Sequence, residues 1–403
     1  MVPTVESQEL EVTVLMPCLN EAGTVAQCVQ DAFQGLESCH AEGEVLVTDN
    51  GSCDGSVEVA KQAGARVVTV GQRGYGSALR SGIAEARGRF VVIGDADGTY
   101  DFKALGPFIA ALRNGADLVM GCRFPSGGGV IERGAMPWKH RWIGNPVLSW
   151  LGRCLFRTKC RDFHCGLRGL NRERFARLPL RTTGMEFASE MVIRAALAGY
   201  RIEEAPARLR PALPERRSHL RSWRDGWRHL RFMLLFAPDK TLTWPGAVLA
   251  TLGSVVFVSV LPGALPLGRI KLDLNTMEVA GLAMLFGFQM MLFGSFAKLY
   301  AQTRGLLPSS LKQPFWARHF SLERGLLIAG GLLLCGLILI GVAVWQWAKA
   351  GFGDLDPFIT TRLVILGRIT ATLGGLVALF SFMFSYLLLD SWLDHPKGDG
   401  ASQ

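Results

Sequence analysis

No CxxC pair occurs among the nine cysteines of this 403-residue chain. That argues against a disulfide framework and for a reducing compartment. The one local cluster, Cys160, His164 and Cys165 in "CRDFHC", lacks the fourth ligand and the usual spacing of a zinc site. Residues 1–10 are polar and acidic, so no secretory signal peptide is expected. Acidic residues are in deficit, 34 against 43 Lys and Arg. The excess is local, with nine basic and three acidic residues between 208 and 240 and five basic ones in 298–324.

Long apolar runs are missing before about Thr241, and then four follow in succession, over 242–268, 279–297, 325–348 and 363–389. Each approaches or exceeds the roughly 20 apolar residues that cross a bilayer. An integral membrane region of four transmembrane helices is therefore expected over 241–403, behind a domain over 1–240. The positive-inside rule puts that domain and the 298–324 connector on the cytoplasmic side of the cytoplasmic (inner) membrane. Arg368, inside the fourth run, calls for a partner or a polar lipid headgroup.

Between residues 11 and 121, strand-like runs ("EVTVLMP", "EVLVTD", "ARVVTV", "RFVVIGD", "ADLVMGC") alternate with helix-like ones. This α/β pattern implies a mostly parallel, Rossmann-like sheet covered on both faces, with ligands beyond the carboxyl ends of its strands. The polar clusters "PCLNE", "TDNGSCDGS" and "DADGTYD" fall at those ends. In the last, Asp95, Asp97 and Asp101 repel one another unless a positive charge sits among them. A divalent cation held by hard oxygen ligands fits that need. The alternative is a solvated turn in which Asp101 caps the next helix.

"ARVVTVGQRGYGSALRSG" offers a strand, Gly74, Gly76 and a helix, with Asp95 ending the next strand. It imitates a dinucleotide-binding fingerprint, and an NAD(P)-binding membrane oxidoreductase is the reading it supports. Leu79, however, occupies the third glycine position, where close helix packing demands a small residue.

In order, "PCLNEAGTV", "TDNGSCDGS", "GYGSALRSG", "GDADGTYDF", "GCRF", "DFHCGLRGL" and "EMVIRAALAGYRIEEAPARLRP" resemble a family 2 glycosyltransferase of the GT-A fold over roughly residues 10–235. More narrowly, they resemble the polyprenyl-phosphate (dolichol-phosphate) hexosyltransferases. The resemblance implies transfer of a hexose, glucose or mannose, from a nucleotide sugar such as UDP-glucose or GDP-mannose to a polyprenyl phosphate lipid, with inversion. It makes Asp95 and Asp97 the metal ligands for Mg2+ or Mn2+, and Pro17, Asn20, Glu21 and Asp49 contacts of the nucleotide. Arg123 falls near the phosphates and Asp162 on the acceptor side, so that Asp97, Arg123 and Asp162 are the implied catalytic set.

A lipid phosphate is already anionic near neutral pH, so Asp162 is expected to orient the acceptor or Arg168 rather than act as an obligatory base. Glu190 is the rival, or else it only pairs with Arg194 at helical spacing. Arg217 and His219 are expected to meet the lipid phosphate. Asn50, Thr99 and His219 depart from the residues common in the family, an aspartate, a glutamine and a lysine.

Segments 135–158 and 218–236 interleave Trp with Arg and Lys, as amphipathic helices among headgroups do. Because they lead into a membrane span, no nucleic acid partner is expected; a homo-oligomer is left open. Processive polysaccharide synthases share the DxD element, but their QxxRW string is missing. A non-catalytic, flippase-like protein with a degenerate nucleotide fold is the other alternative, and the intact DxD, Arg123 and Asp162 weigh against it.

Overall fold

The computed structural model describes residues 10–213, 222–312, 321–353 and 357–394. It divides into two compact units, Met1–Phe236 and Ala237–Gln403.

In the first unit β1 (Val12–Cys18), β2 (Gly43–Asp49), β3 (Arg66–Thr69), β4 (Phe90–Ile93), β5 (Leu118–Cys122), β7 (Arg168–Asn171) and β8 (Ile202–Pro206) form one sheet, in the order β3-β2-β1-β4-β7-β5-β8. Its pairings are parallel except at β7, which runs antiparallel to both neighbours. A small second sheet joins β6 (Val130–Ile131) to β9 (Arg208–Leu209).

Successive side chains of a strand point to opposite faces, and β1 is buried on both. Val12, Val14 and Met16 share a core with Val25, Val29 and Ala32 of α1 (Val25–Ser38) and Phe108 and Ile109 of α4 (Gly106–Arg113). Leu15 faces the other way, into α3 (Tyr75–Glu85), where Gly82 lies so close to Leu15 and Thr48 that a Cβ has no room. The apolar positions of α1 recur at 25, 28, 29, 32 and 36, the stripe a helix needs to lie on a sheet.

Strand β7 was not expected, and it organises the site. Arg168 lies in register with Ile93 of β4 and Met120 of β5. The segment entering β7 therefore lies over the carboxyl ends of those two strands.

Among the described residues of the second unit four helices are long and apolar enough to cross a membrane: Asp239–Val260, Leu274–Thr303, Leu322–Lys349 and Ile359–Leu389. The first stops short of the expected 268. Pro262 and Gly263 interrupt it, and Leu265–Leu267 pairs with Ile270–Leu272 in a hairpin. Spans one and two approach through small residues: a Cβ on Gly246 would meet Gly287 O at 2.6 Å, and one on Gly253 would meet Met284 N at 2.6 Å. Spans three and four close in the same way at Gly336 and Gly367. Small residues let backbones pack where lipid removes the hydrophobic drive.

Arg368 has its partner in Glu278, and Arg362 pairs with Asp273. These two pairs join spans two and four in parallel. Glu278→Ala leaves a guanidinium unpaired in a span, where Arg costs about 2.5–3.5 kcal/mol on insertion scales. A several-fold lower yield of folded protein is expected by size-exclusion chromatography, restored by exchanging the two charges (Glu278→Arg with Arg368→Glu).

Candidate active site

The carboxyl ends of β1 and β2 lie side by side, with Pro17 opposite Thr48 and Cys18 opposite Asp49. Asp49 is buried and its carboxylate accepts from the N–H groups of Gly51 and Ser52, both at 3.1 Å. Asn20, at φ +57°, accepts from Cys53 N–H at 2.9 Å, while its own N–H donates to Ser52 Oγ at 2.9 Å. Glu21 N–H donates to Ser56 Oγ at 2.8 Å. Pro17, Asn20, Glu21 and Asp49 thus lie at one rim, the last three held by turn hydrogen bonds.

Asn50 has a role that an aspartate could not fill. Its Nδ2 donates to Gln72 O at 3.0 Å and its Oδ1 accepts from Gly74 N–H at 2.7 Å, tying β2 to the start of α3. A carboxylate has no donor for the first bond. Gly74 and Gly76 are small because the 182–184 backbone crosses them; a Cβ on Gly76 would lie 2.6 Å from Thr182 O. The look-alike fingerprint is therefore a packing contact, and its glycines are not free to face a pyrophosphate.

After β4 the three carboxylates are separately satisfied. Asp97, buried, accepts at one oxygen from Thr99 N–H at 3.0 Å and Thr99 Oγ1–H at 2.6 Å. The departure at Thr99 thus positions Asp97. Asp95 and Tyr75 are both half-buried and hydrogen-bonded to each other; desolvation, then the Asp95 charge, pushes the phenol well above its usual value, so it stays a neutral donor. Asp101 caps the turn Phe102–Ala104 and pairs with Arg210 at 2.7 Å. Gly166 lies against this cluster, its N–H donating to Tyr100 Oη at 2.8 Å, where a Cβ would meet Asp95 Oδ2 at 2.8 Å. Tyr75 and Tyr100 escaped the sequence reading because nothing local marks a tyrosine as facing a carboxylate.

Beyond β5, Arg123 and Asp162 form a buried, two-pronged ion pair. Nε and Nη2 of Arg123 donate to the two carboxylate oxygens at 2.7 and 2.8 Å, and Arg123 N–H adds a third bond at 3.1 Å. Burial opposes the guanidinium's charge, but the adjacent carboxylate outweighs it and holds Arg123 well above its usual value. Of the two expectations for Asp162, that it orients the acceptor or Arg168, the second is corrected, since its carboxylate is bonded to Arg123. Arg168 is spent on main-chain carbonyls, with Nε donating to Cys165 O at 2.7 Å and Nη2 to Phe163 O at 3.4 Å, and it also reaches Ala188 O. Buried among these carbonyls, it braces the loop.

Glu190 is structural too. Buried in α7 (Phe187–Leu197), it accepts from Arg194 Nε at 2.8 Å, Thr182 N–H at 2.9 Å and Thr182 Oγ1–H at 2.7 Å, and so fixes the 182–184 crossing. Cys160 and Cys165 flank the Asp162 loop, and burial pushes the Cys165 thiol up to about 12. Arg217 and His219 lie outside the described residues.

Among the described residues no three His, Cys, Asp or Glu side chains converge into a metal cage. Two adjacent hard-oxygen carboxylates, Asp95 and Asp97, still fit Mg2+ or Mn2+, since Mg2+ is usually held by one or two carboxylates with substrate phosphates completing the shell.

The family model described as glycosyl transferase family 2 matches residues 13–178, and the one described as the glycosyltransferase family 2 C-terminal transmembrane region matches 295–388. A low-salt glycan biosynthesis hexosyltransferase, Agl6 of Haloferax volcanii, is 35% identical over 378 residues, covering 93% of this chain and 88% of that protein. The chain belongs to glycosyltransferase family 2. A dolichyl-phosphate hexose transferase of the same organism is 29% identical over 196 residues, 49% of this chain and 81% of that protein. A solved structure of glucosyl-3-phosphoglycerate synthase from Mycobacterium tuberculosis in complex with Mn2+, UDP and glucosyl-3-phosphoglycerate is similar at a TM-score of 0.46 and 19% identity, over 57% of this chain and 80% of that one. This family 2 enzyme is thus a membrane-integral glycosyltransferase, a GT-A-type domain followed by four apolar helices.

Proposed function

We propose that the enzyme transfers glucose or mannose from a nucleoside diphosphate sugar to polyprenyl phosphate at the cytoplasmic face of the inner membrane, with inversion. One observation carries the acceptor reading. The helix α5 (Asn145–Phe156) and the turn before it expose Trp138, Trp142, Ile143, Val147 and Trp150, each more than half open, with Arg141 stacked on Trp142. Phe163, next to Asp162, packs on the inner side of this helix at Gly152. The acceptor side of the site thus adjoins a surface suited to lipid headgroups.

In this reading an anionic phosphate oxygen of the lipid attacks C1 of the hexose as the bond to the nucleoside diphosphate breaks and the bonding pair leaves with the diphosphate. No proton need be removed, consistent with Asp162 being committed to Arg123. Asp49 and Asn20 shape the nucleotide end, and Asp95 and Asp97 lie at the diphosphate. A divalent cation bound by those two carboxylates would neutralise charge on the leaving group. The basic residues of 208–240 and 298–324 support the cytoplasmic orientation.

The test incubates inside-out vesicles and intact cells with radiolabelled nucleotide sugars and polyprenyl phosphate. Label is expected in a lipid-phosphate hexose from UDP-glucose or GDP-mannose, in the vesicles and not outside intact cells. Arg217→Ala with His219→Ala is expected to raise KM for polyprenyl phosphate by about tenfold or more, the worth of one hydrogen bond to a charged group, while the donor KM stays put. Label appearing only in a water-soluble product overturns the lipid acceptor.

A further inference from the structure

The two residues after Asp162 tie its loop to two helices with exposed tryptophans, the first directly and the second by way of α7. Phe163 N–H donates to Oγ of Ser149, a fully buried residue of α5, at 3.1 Å. His164 Nε2 lies 3.5 Å from Ser189 Oγ on α7, and the same hydroxyl lies 2.8 Å from Nδ1 of His229 on α8 (Ser222–Leu235). The two imidazoles meet edge to face, 4.6 Å between centroids. Burial, with the charges of His229, Arg168 and Arg123, holds His164 well below the usual imidazole value, so it is neutral near pH 7. A hydroxyl can donate to one ring nitrogen and accept from another, which lets Ser189 bridge the pair. On its outer side α8 exposes Trp227 and Leu235, while Met233 is buried.

We propose that α5 and α8 transmit their seating on a lipid surface to the Asp162–Arg123 pair through Ser149, Ser189 and His229, making turnover dependent on a bilayer. These three are positioning residues, and the inference rests on the lipid-acceptor reading above. The lever is short. A 1 Å misplacement of a catalytic group costs up to about 10²-fold in rate, and a shift of α8 by that much breaks a 2.8 Å contact.

The experiment uses the full chain in detergent micelles and in vesicles of phosphatidylglycerol and phosphatidylcholine. It measures transfer to a short-chain, water-soluble polyprenyl phosphate, slow hydrolysis of the donor, and the Kd for nucleoside diphosphate. Wild type is expected to turn over about tenfold faster or more in vesicles, for hydrolysis as well as transfer. Ser189→Ala and His229→Leu are expected to lose that ratio while keeping micelle turnover and nucleotide Kd within about twofold. His229→Asn, which keeps a polar atom at the Nδ1 position, is expected to restore it. A wild type indifferent to the bilayer, variants with the wild-type ratio, variants that lose nucleotide binding together with the ratio, or failure of His229→Asn each overturn the proposal. Hydrolysis needs no lipid acceptor, so a wild type that hydrolyses donor faster on vesicles but transfers nothing to polyprenyl phosphate refutes the acceptor reading and leaves the coupling standing.

Discussion

Asp97→Ala is expected to reduce sugar transfer by about 10²–10³-fold or more, the scale on which a group stabilising developing charge acts. The protein should still fold and insert. The Asp97 carboxylate accepts from the N–H and the Oγ1–H of Thr99, two residues on, so its removal disturbs a turn rather than core packing. Asp97→Asn separates the two roles. It keeps an acceptor for Thr99 but removes the charge, and it is expected to be as inactive as the alanine variant. Excess chelator should reproduce the loss in the unmutated enzyme. Undiminished turnover of Asp97→Asn, or of wild type in EDTA, removes Asp97 from the chemistry. Asp95→Ala carries a second cost, because the half-buried Tyr75 hydroxyl loses its partner. Its loss of activity should therefore come with a lower unfolding temperature.

The parallel strands were legible because each is a short apolar run ending in a polar cluster, and β1, β2, β4 and β5 fall where those runs lie. Strand β7 was not. "RGLN" has little strand propensity of its own and forms because β4 and β5 flank it on both edges. With β7 hidden, the meeting of Arg123 and Asp162, 39 residues apart, was hidden too. Departures were visible as departures but not as functions: Asn50 and Thr99 show their purpose only through Gly74 and Asp97. The Ser189 bridge was the least readable, since a serine on a buried helix face looks like any other small residue until two imidazoles are placed beside it. The membrane spans were the easiest. Length and apolarity alone define them, and the largest departure is the end of the first, where proline and glycine yield to a hairpin.

Asp162→Ala should destabilise the amino-terminal unit by about 3–5 kcal/mol, because it strands the Arg123 guanidinium without its counter-charge in a dry site. At roughly 2–4 °C per kcal/mol for a unit of this size, the apparent unfolding temperature falls by about 6–20 °C. Arg123→Ala should cost a similar amount by stranding the carboxylate. The double variant Arg123→Met with Asp162→Leu discriminates between function and folding. Buried ion pairs are often no more stabilising than apolar residues of similar volume, so it should recover most of the lost stability. It is nevertheless expected to transfer no sugar if Arg123 is, as the family resemblance implies, the guanidinium near the phosphates. The thermodynamic cycle of the four proteins yields the coupling between the two side chains directly. A double variant that is both stable and active would make the pair a replaceable brace. Stability regained without activity means that the charges are retained for the reaction, a fixed cation that costs the fold more than an apolar pair would and that only a charged substrate requires.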